Sequence, residues 1–222
     1  MPSAINSAGL RQLLTAVAEA VEREEVRLNA LDAAIGDGDH GITMRIGFQA
    51  VGRAIEALPP DSRPGQILTV AGKVFMESTG GAIGVILGRA FIAAGKAMVD
   101  RTALGTAEWK LCFQAMEQSV CAAGKAKPGD KTLIDALHAI NEALTAANED
   151  MASAELLLVA AEAAERAAEA TASMRCRIGR ASRLGDLALG HPDPGSVSIS
   201  IITRAMARRA CDLPPAAFLT SE

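Results

Sequence analysis

A core with almost no aromatic side chains leaves few folds open, and here aromatics are 3% of 222 residues, with no Tyr. Burial must then rest on Ala, Leu, Ile, Val and Met, small and medium side chains that let helices approach closely. The spacing of the apolar residues agrees with that. Over residues 8–28, Leu10, Leu13, Leu14, Val17 and Val21 recur at helical intervals with Glu and Arg between them. A further helix begins after residue 41, with Met44, Phe48, Val51 and Ile55 on one face, and Pro59-Pro60 stop it. Residues 64–77, the apolar segment opened by Ser78-Thr-Gly-Gly81, and residues 109–123 and 133–147 read as additional helices. Residues 153–173 are nearly all Ala, Glu and Leu, with Ser153 as the expected N-cap. Val197-Ser-Ile-Ser-Ile201 alternates like a strand, but it is short and isolated and follows Pro194-Gly195, so it is read as helix. No repeat or linker divides the chain. The expectation is an all-α fold, one domain over residues 1–222, with about eight antiparallel helices in a bundle or barrel. With so few aromatics, an apolar cavity inside the barrel is left open.

Composition excludes several classes of function. The net charge of −4 and pI near 5.5 give no general attraction to polyanions, and no basic run is interleaved with aromatics, so nucleic acid is not an expected partner. Cys112, Cys121, Cys176 and Cys211 form no CxxC pair, no signal-peptide pattern opens the chain, and no apolar run reaches membrane-spanning length. A soluble cytoplasmic protein with reduced thiols is expected.

The chemistry concentrates in LDAAIGDGDHG, residues 31–41, where Asp32, Asp37 and Asp39 are spaced by glycines and followed by His40. A single Asp in a Gly-rich turn is ordinarily a turn residue or a cap. Three within eight positions repel one another unless a hard cation such as Mg²⁺ neutralises them. An EF-hand is disfavoured because the bidentate Glu at the end of a twelve-residue frame is missing, and zinc because no thiol or second His lies nearby. His40 is read as a nucleotide contact or as support for the acids. Three more loops are rich in Gly and basic residues: STGGAIG (78–84), GKAKPGDKT (124–132), and the pair GRASR (179–183) with GHPDPG (190–195). In an antiparallel bundle alternate connections emerge at one end, so these four loops are expected to converge. Carboxylates for metal, glycines and helix N-termini for phosphate oxygens, and an Arg for charge are the parts of a magnesium-nucleotide site. The glycine loop is neither a Walker loop, lacking GK[ST], nor a Rossmann fingerprint, lacking a preceding strand. Plainer readings stand beside these: Pro128 to Thr132 as a turn with an Asp N-cap, Arg180 and Arg183 as solvated charges, and His138 as a structural residue outside the site.

These five motifs, in this order and at these separations, resemble the nucleotide-binding L subunits of bacterial dihydroxyacetone kinases, the family of the kinases' C-terminal domain. The resemblance covers nearly the whole chain. It implies a barrel of eight antiparallel helices with the nucleotide at one end. By the same resemblance Asp32, Asp37 and Asp39 hold two Mg²⁺ ions that bridge the phosphates of ATP or ADP, and His40, Gly41, Ile42 and Thr43 lie against the nucleotide. Gly81 and Ala82 contact phosphate, Gly124 and Thr132 form the nucleotide wall, Arg180 is the phosphate-side catalytic arginine, and Asp193, Pro194 and Gly195 form a further contacting turn. No nucleophile is among them, as suits phosphoryl transfer by positioning and charge neutralisation.

The family implies partners as well: a K subunit that holds the ketose covalently on its own His, in some members a phosphotransferase-system phosphocarrier that rephosphorylates bound ADP, and a second copy of the chain. No substrate domain is evident here, which fits a stand-alone L subunit. Ile83 stands where dihydroxyacetone-specific members carry a small hydroxylated residue, and Val85 where Pro is frequent. Two other readings share the Asp loop: the nucleotide domain of a fatty acid kinase-like system, and a regulatory module that binds Mg-nucleotide without turnover.

Overall fold

A computed structural model describes residues 4–219, apart from the side chains of Arg180, Ala181, Arg183 and Leu184. Nine α-helices are present among the described residues: α1 (Ser7–Arg23), α2 (Glu25–Ile35), α3 (His40–Glu56), α4 (Pro64–Ser78), α5 (Gly81–Ala97), α6 (Thr106–Gly124), α7 (Leu133–Ala146), α8 (Ser153–Ala170) and α9 (Pro194–Cys211). Eight of them close a ring. From α3 to α9 each helix packs on the next in chain order, α9 packs back on α1, and α1 packs on α3, while α2 extends α1 and lies beside α3. This is the expected all-α barrel.

Local differences from the expectation have physical causes. The helix expected over residues 8–28 breaks at Glu24 and resumes to Ile35, because nothing before Gly36 interrupts good helix formers. Asp32 is therefore helical, one turn before the loop. Ser153 is not the N-cap of α8. That position is Ala152, and Ser153, fully buried, donates its hydroxyl to the Leu104 carbonyl at 3.0 Å. Residues 197–201 are helical as expected, and their strand-like alternation is explained by burial. α9 is enclosed by α1, α7 and α8, so Val197, Ser198, Ile199 and Ser200 are all covered. Its hydroxyls bond locally or across the site: Ser200 Oγ donates to the Val197 carbonyl at 2.8 Å and Ser196 Oγ to the Thr132 carbonyl at 2.6 Å.

Small residues set the closest contact in the ring. Along α4 and α5, Gly65 and Gly72 face Gly95 and Gly88. A Cβ on Gly88 would lie 2.7 Å from the Gly72 carbonyl oxygen, and one on Gly95 2.6 Å from that of Gly65. Inside the ring Phe48 sits edge-on to Phe75 and Phe91, with ring centroids 5.2 and 6.1 Å away, in one continuous apolar cluster.

The two ends of the barrel differ. At one end, polar contacts tie the connections together. Strands β1 (Ile5–Asn6) and β2 (Ala103–Leu104) pair antiparallel, Arg11 donates to the carbonyls of Ile55 and Pro59, and Thr106 Oγ1 donates to the Met151 carbonyl. At the other end emerge the connections α2–α3, α4–α5, α6–α7 and α8–α9. No described helix is long and apolar enough to cross a membrane.

Candidate functional site

The α2–α3 connection is organised by Asp32 from the last turn of α2. Its Oδ2 accepts the N–H of Gly38 at 2.8 Å and that of Asp39 at 3.1 Å, while Gly38 turns the chain in the left-handed region at φ +81°. One carboxylate oxygen from each of Asp32, Asp37 and Asp39 thereby comes within 4.8 Å of the others. Among the described residues this is the only such group of three His, Cys, Asp or Glu. The donors are all hard oxygens. An octahedral Mg²⁺ with ligands at about 2.1 Å holds neighbouring oxygens about 3 Å and opposite ones about 4 Å apart, so small side-chain adjustments suffice and the residues fit the ion.

The acids line a cavity of about 750 Å³. Because alternate helices of an antiparallel barrel start at the same end, α3, α5, α7 and α9 all begin at this cavity, at His40, Gly81, Leu133 and Pro194. Four helix N-termini thus turn the positive ends of their dipoles toward one space, which favours an anion there. Gly81, at φ +75°, lets the chain turn into α5 with Gly80 as the cap. Ile35, Ile83, Ile86, Leu133 and Ile178 give the rest of the cavity an apolar lining. The lining is thus part ionic and part apolar.

The structure brings together Asp32, Asp37, Asp39, His40, Thr43, Gly81, Ala82, Gly124, Thr132, Asp193, Pro194 and Gly195 as lining residues. Gly41 and Ile42 do not line the cavity. Gly41 packs against the Glu25 carbonyl, and Ile42 donates its N–H to Asn29 Oδ1 at 3.1 Å while its side chain is exposed. The side chains of Arg180 and Arg183 lie outside the described residues; Gly179, just before Arg180, lines the cavity.

His40 is 8% exposed, with Nε2 2.8 Å from Ser198 Oγ and the ring also hydrogen-bonded to the Pro194 carbonyl. Burial lowers its pKa below the usual histidine value, against the opposing field of Asp32. Its contacts tie the start of α3 to the start of α9. Asp193 caps α9, accepting the Ser196 N–H at 2.6 Å, and donates its own N–H to Thr171 Oγ1 at 2.8 Å. Removal from water pushes the Asp193 carboxyl up to about 7, with the Ser196 hydrogen bonds and Lys131 opposing and Asp135 reinforcing the shift. The N-cap of α7 is Thr132, not Asp130. Asp135 closes a reciprocal cap by accepting the N–H of Thr132 at 2.8 Å and that of Gly129 at 2.5 Å. Asp130 holds the turn before it through the Lys127 N–H at 2.9 Å.

Sequence reasoning missed Lys131, Cys176 and Asp135. The T-x-x-D pattern of Thr132 and Asp135 was the available signal for the cap. Nothing local marks Lys131 as buried. His138, set aside from the site, lies elsewhere, with Nδ1 2.8 Å from Glu117 Oε1. A second cleft of about 510 Å³ runs between α1, α8 and α9, and there Arg204 is already paired with Glu165.

A closed helical barrel that aims four helix N-termini past a carboxylate cluster is a metal-assisted anion-binding module. Residues 34–208 match the family model of the DAK2 domain, and the chain belongs to that family. It is 37% identical over 200 residues to the "PEP-dependent dihydroxyacetone kinase, ADP-binding subunit DhaL" of Escherichia coli, covering 89% of this chain and 94% of that one. It is 36% identical over 183 residues to the human "Triokinase/FMN cyclase", covering 82% of this chain but 32% of that protein. The dihydroxyacetone kinase of C. freundii in complex with AMP-PNP and Mg²⁺ superposes with a TM-score of 0.69 at 26% identity, over 94% of this chain and 35% of that one. The chain thus spans nearly all of the E. coli subunit and about a third of the two longer proteins.

Proposed function

We propose that this chain is the Mg-nucleotide-binding subunit of a dihydroxyacetone-type kinase, which delivers a phosphoryl group from ATP, or from bound ADP rephosphorylated in place, to a short ketose held on a separate K subunit. One observation carries the reading: three carboxylates and the Gly81 loop line a single cavity at which four helices begin. The likeness to an ADP-binding kinase subunit and to a kinase solved with AMP-PNP and Mg²⁺ supports it.

Asp32, Asp37 and Asp39 are the residues for Mg²⁺, two ions by the family resemblance. The metal supplies charge neutralisation for phosphate oxygens. The N–H groups of Gly81 and Ala82 orient phosphate, Thr132 and Gly124 form the wall beside it, and the apolar lining takes the nucleoside. Arg180 is assigned to transition-state charge. His40 acts through its bonds to Ser198 and Pro194, holding the Asp loop against α9. Since Ile83 has no hydroxyl to donate, affinity is expected to be weaker by about 1 kcal/mol than with a hydroxylated residue there, which favours exchanging ATP over permanently held ADP. The open end of the barrel is the face assigned to the K subunit and, in the ADP-retaining mode, to a phosphocarrier. A homodimer and a cytoplasmic location complete the proposal.

The test is calorimetric titration of the nucleotide-stripped chain with ADP and ATP, in Mg²⁺ and in EDTA. Metal-dependent binding that disappears in Asp37→Ala and Asp39→Ala, with helicity unchanged, is expected. Variants that still bind Mg-nucleotide normally overturn the assignment of the acids.

A further inference from the structure

Lys131 is 1% exposed and among the largest fully buried side chains, although burying an ammonium is costly unless it is well paired. Its backbone sits in the left-handed region at φ +59°, which disfavours any residue with a Cβ. Two unfavourable features in one residue point to a function for it.

The ammonium has particular partners. Nζ donates to the carbonyl of Ala188 at 2.6 Å and to that of Met174 at 3.3 Å. Both belong to the α8–α9 connection, one on each side of Ile178 and Gly179, which line the cavity. Among its described side chains Ala188 is buried and Ile178 packs against the core, but Leu187 is 76% exposed and Asp186 is exposed. The connection's other fastenings include the Arg177 N–H to the Asp130 carbonyl at 3.2 Å, the Gly190 N–H to the Ala172 carbonyl at 2.8 Å, and packing of residues 180–188 on α2. A connection whose backbone is fastened by few contacts opens readily unless polar contacts hold it.

We infer that Lys131 is a positioning residue whose ammonium clamps the 174–188 strap across the cavity, so that Ile178 and Gly179 complete the wall and the chain at Arg180 is presented at the mouth. The inference rests on the proposed reading of the cavity as a Mg-nucleotide site. Lys131 also lines the cavity, but its ammonium is engaged by the two strap carbonyls, and it is through the strap that it acts.

The test compares Lys131→Met and Lys131→Arg with the parent chain in three measurements: amide hydrogen exchange without nucleotide, Mg-ADP affinity, and urea unfolding. In Lys131→Met, exchange over residues 174–190 rises tenfold or more while α3 and α7 keep their protection, and Mg-ADP affinity falls about tenfold. Global stability is unchanged or higher, because an apolar side chain replaces a buried charge. A merely structural lysine predicts the reverse, with stability lost and strap and core exposed together. Lys131→Arg, which keeps the donors, recovers part of both the protection and the affinity. Unchanged exchange in the strap, or affinity lost only in step with stability, overturns the inference. If Lys131→Met does not fold, Lys131→Gln is held to the same readouts. Asp39→Ala is titrated alongside. Its normal binding of Mg-ADP would reject the nucleotide reading, whereas its loss of binding beside unaffected Lys131→Met would reject the clamp alone.

Discussion

Asp135 offers a quantitative test of how the site is built. Its two oxygens hold the turn that carries Lys131 and Thr132, one accepting the Gly129 N–H at 2.5 Å and the other the Thr132 N–H at 2.8 Å, and the residue is buried. Asp135→Ala releases both donors. Gly129 is exposed, so its N–H turns to water and the net loss is about 1 kcal/mol. Thr132 is half-buried at the start of α7, where losing the cap and the favourable charge on the helix dipole costs about 2 kcal/mol. The sum is about 3 kcal/mol, equivalent to a fall in Tm of about 6–12 °C for a chain of this size. Asp135→Asn keeps one acceptor and should fall between Ala and the parent. Glu155→Ala is the control: Glu155 accepts the Ala152 N–H at 3.3 Å at an exposed helix start, and its loss should cost less than about 0.5 kcal/mol. Urea midpoints at unchanged m give the values, and Mg-ADP affinity should fall along the series as Thr132 loosens. An Asp135→Ala variant within about 1 kcal/mol of the parent would refute the reasoning, because two charge-assisted bonds to a buried carboxylate cannot cost so little.

Gly72→Ala should destabilise by about 1–3 kcal/mol, since its Cβ would lie 2.7 Å from the Ile92 nitrogen and closer still to the Gly88 carbonyl oxygen. Gly52→Ala, with nothing within 4 Å of the new Cβ in α3, should stabilise by about 0.5–1 kcal/mol; the same sign in urea unfolding for both would defeat the packing argument. For Asp193, the unfolded chain ionises near 3.8 and the folded chain near 7, so its contribution is full below pH 4, is lost as pH rises to about 7, and is flat above. Asp193→Asn, which keeps an acceptor for the Ser196 N–H, should remove that slope from urea midpoints of the nucleotide-free protein; a difference from the parent that does not vary across the window counts against it. Arg180→Ala should reduce phosphoryl transfer more than Mg-nucleotide affinity, and equal losses would assign it to ground-state binding.

Features set by near neighbours in the chain are legible in the residues themselves. Helical spacing identifies the ring helices, and Pro194-Gly195 at the helix start supports α9 against its strand-like alternation. The acids of residues 32–39 stand out because glycines confine them to a few positions. Phase within a helix is harder to read. Once α3 starts at His40, residues 40 and 43 share the face toward the cavity while Gly41 and Ile42 are rotated away from it. Ser153 has the residue type of a cap, but its hydroxyl is taken by Leu104, a partner supplied by another element.

The amino-acid sequence by itself determined that the chain is helical and which loops carry acids and glycines, because spacing, capping and backbone freedom act over a few residues. Only the tertiary structure decided what required distant segments to meet. Asn6 bonds the carbonyls of Ala216 and Phe218 once the ring has closed, four helix starts face one cavity because the ring is antiparallel, and Lys131 is buried because its ammonium meets Met174 and Ala188. A buried charge is tolerable only where partners are present, and the fold, not the local sequence, brings them there.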